Sequence, residues 1–174
     1  RHGNLFGSHP KGGVLLLAGD DHTCKSSTTA HQTEYAFMDA MIPVLNPAGV
    51  QEFLDLGLYG WAMSRYSGCW SAFKLIAETV DSSASVYVDP HRVNIKLPED
   101  FEMPEGGLSI RYPDTPLEME ERLHRYKINA VLAFARANKL DKAVIDGPNR
   151  RFGIVTCGKS YLDVRQALEE LGIN

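Results

Sequence analysis

Gly12-Gly13-Val14-Leu15-Leu16-Leu17-Ala18-Gly19-Asp20-Asp21-His22-Thr23-Cys24-Lys25-Ser26-Ser27-Thr28-Thr29-Ala30-His31-Gln32-Thr33-Glu34-Tyr35 decides the fold class of this chain. Its apolar run, Val14 to Ala18, lies between glycines. A short uninterrupted run of this kind reads as a strand buried on both faces of a parallel sheet. Small and polar residues follow at once. Ser27, Thr28 or Thr29 is placed to cap a helix that carries Glu34 in its first or second turn and continues to about Met41. Strand, polar loop and helix start are the parts of a ligand-binding crevice, which in open α/β sheets lies outside the carboxyl ends of the strands.

Upstream, Arg1 to Lys11 is rich in turn formers and reads as a loop. A chain opening on Arg1 rather than Met is expected to be part of a longer polypeptide. Downstream, Ile42-Pro43-Val44-Leu45 is a short strand that starts late or lies at an edge, because Pro43 lacks a backbone donor. Asn46-Pro47 then resembles a capped helix start, with Val50, Leu54, Gly57 or Leu58, and Trp61 as its stripe and Gly68 as its stop. Phe73 to Thr79 fits either a strand or a helix start. Ser85–Val88 and Arg92–Leu97 alternate like half-exposed strands around the turn Asp89-Pro90-His91. Pro98 to Pro113, with Gly106-Gly107 and several carboxylates, is a linker.

Thr115-Pro116-Leu117-Glu118 is a capping box with proline at the first helical position. The helix it opens should reach about Asn138. Met119, Leu123, Tyr126, Ala130 and Phe134 form its buried stripe; Glu120, Glu121, Arg125 and Lys127 form a solvated face. Phe152 to Cys157 reads as a second apolar strand, turning at Gly158 into a helix with Tyr161, Val164, Leu168 and Leu171 on one face. The expected architecture is α/β: two strand-loop-helix pieces joined by an irregular linker.

Composition narrows the function. The chain has 174 residues, 44% of them apolar, and a net charge of -4. That charge argues against nucleic acid, which calls for a clustered basic face. No run approaches a membrane span and no signal peptide is evident, so a cytoplasmic protein is expected. Cys24, Cys69 and Cys157 are too scattered for a disulfide framework or a cluster motif and read as reduced thiols.

Three loop groups invite chemistry. Gly153 to Ser160 matches the text of a phosphate-binding GxxxxGKS loop, but its variable positions are Ile154, Val155, Thr156 and Cys157. Those are strand residues, not a flexible phosphate wrap. Gly158, Lys159 and Ser160 remain a weak anion site at a helix N-terminus. Asp20-Asp21-His22 lacks ligand spacing; one aspartate capping the next turn and the other solvated is the simpler reading, so no metal is expected. His31 is the preferred proton carrier, since imidazole titrates near neutrality and Ser27, Thr28, Gln32 and Glu34 lie beside it in sequence. No GxSxG elbow supports a hydrolase. Trp61, Arg65 and Trp70 are expected to shape the core and its rim.

Three stretches carry a resemblance: Gly19 to Gln32, Ala40 to Glu52 and Leu58-Tyr59-Gly60-Trp61-Ala62, followed in the same order by Gly153 to Arg165. Together they resemble the indolepyruvate ferredoxin oxidoreductases in their long fused bacterial form. The resemblance implies a thiamine diphosphate enzyme that oxidatively decarboxylates aryl or branched 2-oxoacids with coenzyme A and passes electrons through 4Fe-4S clusters to ferredoxin. It implies that residues 1–88 are the C-terminal half of a pyrimidine-side thiamine domain and 89–114 a linker. Residues 115–174 would be a connecting helix and the start of a transketolase C-terminal-like domain. His31 would be catalytic, and Asp21, His22, Ser26, Ser27, Thr28 and Gln32 would face substrate or cofactor. The activating glutamate and the Gly-Asp-Gly magnesium-diphosphate half would lie elsewhere, so this piece alone should bind no cofactor completely and be inactive. A homo-oligomer is expected. The competing readings are a noncatalytic nucleotide- or anion-binding module and a purely structural piece.

Overall fold

The computed structural model describes residues 1–112, 114–148 and 150–173. Its centre is a three-stranded parallel sheet in the order β1-β3-β2, with β1 Leu15–Asp20, β2 Val44–Leu45 and β3 Ser71–Ile76. Leu15 is registered with Ser71 and Asp20 with Ile76; Val44 pairs with Ala72 and Leu45 with Phe73. Pro43 thus precedes a two-residue edge strand, as its missing donor requires.

The period of two along each strand sorts side chains between two faces. Leu45 and Phe73 enter a core with Met63, Leu123, Val131 and Phe134. Ala18 and Ala72 enter a second core with Phe37, Ala40 and Ile42. The first face is covered by α3 Val50–Ser67 and α6 Ile128–Asn138, the second by α2 Glu34–Ala40. Burying a side chain such as Phe134 or Leu123 contributes roughly 1.5–3 kcal/mol each.

β1 is an edge strand, and only part of it is covered. Leu17 is 64% exposed, so the strand is not buried on both faces as the apolar run implies. Burial of both faces needs a layer above and below the strand, and the side chain of Leu17 is left without such a cover. The stripe assigned to α3 is likewise reversed. Leu54, Leu58 and Trp61 are exposed, while Gly60, Met63, Ser64 and Ser67 pack inward. Small residues let this helix approach the sheet closely, and hydrophobicity alone does not register that. The helix starts at Val50 with Gly49 as its cap, three residues after the Asn46-Pro47 start expected from sequence. It ends at Gly68, where a positive φ of 72° and the Leu108 carbonyl leave no room for a Cβ.

The amino-terminal stretch is not a loop. His2–Phe6 forms a short helix, α1, because buried Asn4 donates to the Ala40 and Met41 carbonyls and accepts from the Trp70 amide. Trp61 and Arg65 both donate to the Gly12 carbonyl, which clamps the approach to β1 and bears out their place at the rim. Phe73 to Thr79 divides between both readings: β3 ends at Ile76 and α4 Ala77–Val80 begins at once.

The alternating segments in the middle form no sheet. Gln51 accepts from the Tyr87 amide and donates to its carbonyl, and Asn138 does the same for Lys96. Each primary amide supplies the donor–acceptor pair of a strand neighbour, so the chain is extended without a ladder. Arg92–Asp55 and Arg136–Asp100 ion pairs hold the same strap against α3 and α6. Of the linker, Pro113 lies outside the described residues; Gly106 and Gly107 make a turn and Leu108 is buried.

The capping box forms as expected: Thr115 Oγ1 accepts from the Glu118 amide, and the Glu118 carboxylate accepts from the Thr115 amide. The helix runs to Asn138, but in three parts: α5 Pro116–Arg122, a π-helical turn Leu123–Lys127, and α6. The wider turn shifts the stripe by one position. Tyr126 is displaced toward solvent, and Lys127 is buried rather than solvated, with Nζ donating to the Leu5 carbonyl at 3.1 Å. Burial is the main reason the Lys127 amine is held below its ordinary pKa. The carboxyl-terminal strand is absent: Phe152 to Cys157 forms no strand, and apart from half-buried Thr156 it is exposed. It has no place in the sheet because β2 and β1 are the edges and neither meets it. The helix after it forms as α7 Lys159–Glu170, with no residue buried.

Candidate functional site

The carboxyl end of β1 delivers two consecutive aspartates to different tasks. Successive side chains of a strand point to opposite faces. Asp21 turns into the loop that follows. Its Oδ1 accepts from the Lys25 amide at 2.8 Å, and its Oδ2 accepts from the amides of Ser26 at 2.8 Å and Ser27 at 2.9 Å. These backbone donors, Ser26 first, hold the Asp21 carboxyl well below the usual carboxylate range. An isolated bridge between Asp21 and His31 closes the loop, with the His31 amide donating to the Asp21 carbonyl. Asp21 is therefore the loop's organiser, in line with the expected turn-capping aspartate. Its oxygens are turned to the loop's own backbone amides.

Around this anchor the remaining predicted residues are displayed. His22, Ser26, Thr28, His31 and Gln32 are exposed, and Ser27 is half-buried. His31 Nε2 lies 3.2 Å from the Gly19 carbonyl, so a donating Nε2–H leaves Nδ1 as its acceptor. Ser27, Thr28 and Thr29 do not cap α2. The helix begins later, at Glu34 after Thr33, because the loop is held at both ends by Asp21 and Asp20.

Asp20 faces the other way. It is buried rather than solvated, on the α2 side of the sheet. Its Oδ2 accepts from the Thr33 amide at 3.1 Å and the Thr33 hydroxyl at 3.0 Å, and lies 3.3 Å from Lys74 Nζ. Lys74, buried in β3, also pairs with Glu34 at the start of α2. The register explains the meeting: Lys74 sits opposite Ala18, one pleat from Asp20 on the same face. Asp20 Oδ1 and Glu34 Oε2 are buried without a hydrogen-bond partner among the described residues. Lys74 was not singled out by the sequence. A lysine inside Ser-Ala-Phe-Lys-Leu-Ile is legible as an anomaly in a buried strand, yet nothing local names its partners.

The second glycine loop lies at the end of β2. Gly158 has φ 57°, and a Cβ there would sit 2.5 Å from Asn46 Oδ1. The Asn46 amide also approaches Cys157 Sγ at 3.6 Å. Lys159 pairs with Asp163 one turn on. A Walker-type loop has neither its strand nor a free lysine here. Arg122 with Asp114, and Arg111 with the same carboxylate, make a separate ion cluster beside α5.

Residues 141–174 match the family model described as "Indolepyruvate ferredoxin oxidoreductase middle domain". Three curated relatives carry the name indolepyruvate oxidoreductase subunit IorA. The Pyrococcus abyssi protein is 28% identical across 94% of this chain and 25% of its own length. The Pyrococcus horikoshii protein is 29% identical with the same coverage, and the Archaeoglobus fulgidus protein 25% identical across 94% of this chain and 26% of its own. This chain thus spans about a quarter of the length of the curated relatives it matches. No solved structure matches it. The family model and the collinear relatives together support the resemblance drawn from the sequence, that of a fragment of an indolepyruvate ferredoxin oxidoreductase.

Proposed function

We propose that this chain is part of a 2-oxoacid oxidoreductase that oxidatively decarboxylates aryl or branched substrates of the indolepyruvate type. In this reading coenzyme A takes the acyl group and ferredoxin takes the electrons through 4Fe-4S clusters of the longer protein. The observation that carries the reading is collinear similarity to oxidoreductase subunits over 94% of the chain, including the loop that Asp21 organises.

Thiamine diphosphate supplies the carbanion sink for such a reaction when bound. The donor set of the 22–32 loop fits the polar ring or the substrate carboxylate: hydroxyls at Ser26, Ser27 and Thr28, an amide at Gln32 and imidazoles at His22 and His31. It does not fit the diphosphate, since the loop's backbone amides at 25–27 are already taken by Asp21. Within this reading His31 accepts or returns a proton at Nδ1, while the Gly19 carbonyl orients the ring. Ser26 and Thr28 hold the substrate by hydrogen bonds. Residues 1–88 would form half of a pyrimidine-side thiamine domain, and 115–174 a connecting helix and the start of a transketolase C-terminal-like domain.

The test is His31→Ala in the complete enzyme. General acid–base catalysis contributes roughly 10²–10⁴-fold, so kcat should fall by about that factor with a smaller change in KM. An unchanged kcat and KM would remove His31 from the site. The isolated 174-residue chain should show no turnover with indolepyruvate, coenzyme A and ferredoxin.

A further inference from the structure

We propose that Asp20, His22 and Glu34 form a binding site for one divalent transition-metal cation at the carboxyl edge of the sheet. One ligand atom from each of the three lies within 4.8 Å of the other two. Sequence neighbours suggest Asp20, Asp21 and His22 as the trio. The fold removes Asp21, whose oxygens bind backbone amides, and brings in Glu34 from α2.

A cluster of acidic groups alone implies little; here two further facts point to a missing cation. The Asp20 side chain is completely buried, and its bonding is one-sided: Thr33 and Lys74 occupy Oδ2, and Oδ1 has no partner among the described residues. Glu34, whose side chain is partly exposed, has Lys74 on Oε1, while its buried Oε2 has no partner among the described residues. Buried charged oxygens left unpaired are expensive, and native structures rarely leave them so. Lys74 neutralises one of the two carboxylates, which leaves one negative charge uncompensated. A cation bound at the remaining oxygens compensates it.

The donor set selects the class. One imidazole and two carboxylates suit Mn²⁺, Fe²⁺, Co²⁺ or Zn²⁺ better than Ca²⁺ or Mg²⁺, which prefer all-oxygen shells. Thr33 and Lys74 orient the carboxylates from behind, as outer-shell partners do in metal sites. His22 is exposed, so the solvent side stays open for water or an anionic ligand. His22 also stands in the polar loop of the reaction proposed above, so the test reads metal binding itself and does not depend on turnover.

The purified 174-residue chain is titrated with Co²⁺, following visible d–d absorption and bound metal by equilibrium dialysis. One Co²⁺ per chain is expected. H22A and E34Q should each weaken binding about tenfold or more, because even outer-shell losses have that effect in metal sites. H91A, on a distant exposed turn, should bind as wild type. Far-UV circular dichroism should match for all variants, since His22 is a surface side chain. No binding at millimolar Co²⁺, or wild-type affinity in both H22A and E34Q, overturns the assignment.

Discussion

Asp20 and Asp21 are adjacent and chemically identical, yet one organises a loop and the other lies beneath a helix. Strand pleating alone separates them. For Asp21 the consequence is a pH dependence with a definite sign. Its folded pKa is depressed by backbone donors, so the stability it contributes is present above the unfolded value, near pH 4, and is lost as pH falls through the folded one. Asp21→Asn removes the charge but keeps the shape. We therefore expect the variant to be less stable than wild type at pH 7, with the gap narrowing below about pH 4. Urea unfolding at pH 7, 4 and 2.5 measures this; a constant gap would contradict it. Burial pushes the Cys69 thiol up to about 11, whereas Cys24 and Cys157 are exposed. The latter two are the thiols open to alkylation.

At the scale of elements, local signals succeeded where they carry their own hydrogen bonds. The Thr115–Glu118 box, the Gly68 stop and the Pro43 edge all follow from backbone donors and φ, which neighbours in sequence control. Period-two alternation at 85–97 is an apolar pattern without a partner strand, and Gln51 and Asn138 take the partner's place. Asn138→Ala should free the 94–98 segment while leaving α6 formed, although the side chain also donates to the Phe134 carbonyl. Amide hydrogen exchange at Lys96 should quicken by at least about tenfold, the effect of about 1.4 kcal/mol. Unchanged exchange there would show that the strap is held by its ion pairs instead. The π turn is the opposite case: the Leu123–Lys127 pattern reads as ordinary helix, and only packing reveals the extra residue.

For the whole molecule, the packed body is the sheet with α2, α3 and α6, while residues 143–148 and 150–155 are exposed and α7 buries nothing. Ending the chain at Lys142 should therefore shift the urea midpoint by no more than the equivalent of about 0.5 kcal/mol, the range of surface changes. A larger loss would mean that the Asn46–Gly158 approach holds the body together. None of the helices described is long and apolar enough to cross a membrane. Leu17 on β1 and Leu54, Leu58 and Trp61 on α3 are exposed apolar side chains.

The α/β class, the polar loop after β1, the capped long helix and the family resemblance are legible in the chain alone, because each is written in contiguous residues. Which aspartate stays with its loop and which meets Lys74 and Glu34, that Lys127 is buried, and that Phe152 to Cys157 finds no sheet were fixed by packing. Those outcomes depend on pleat, register and neighbours distant along the chain, and a local pattern encodes none of the three.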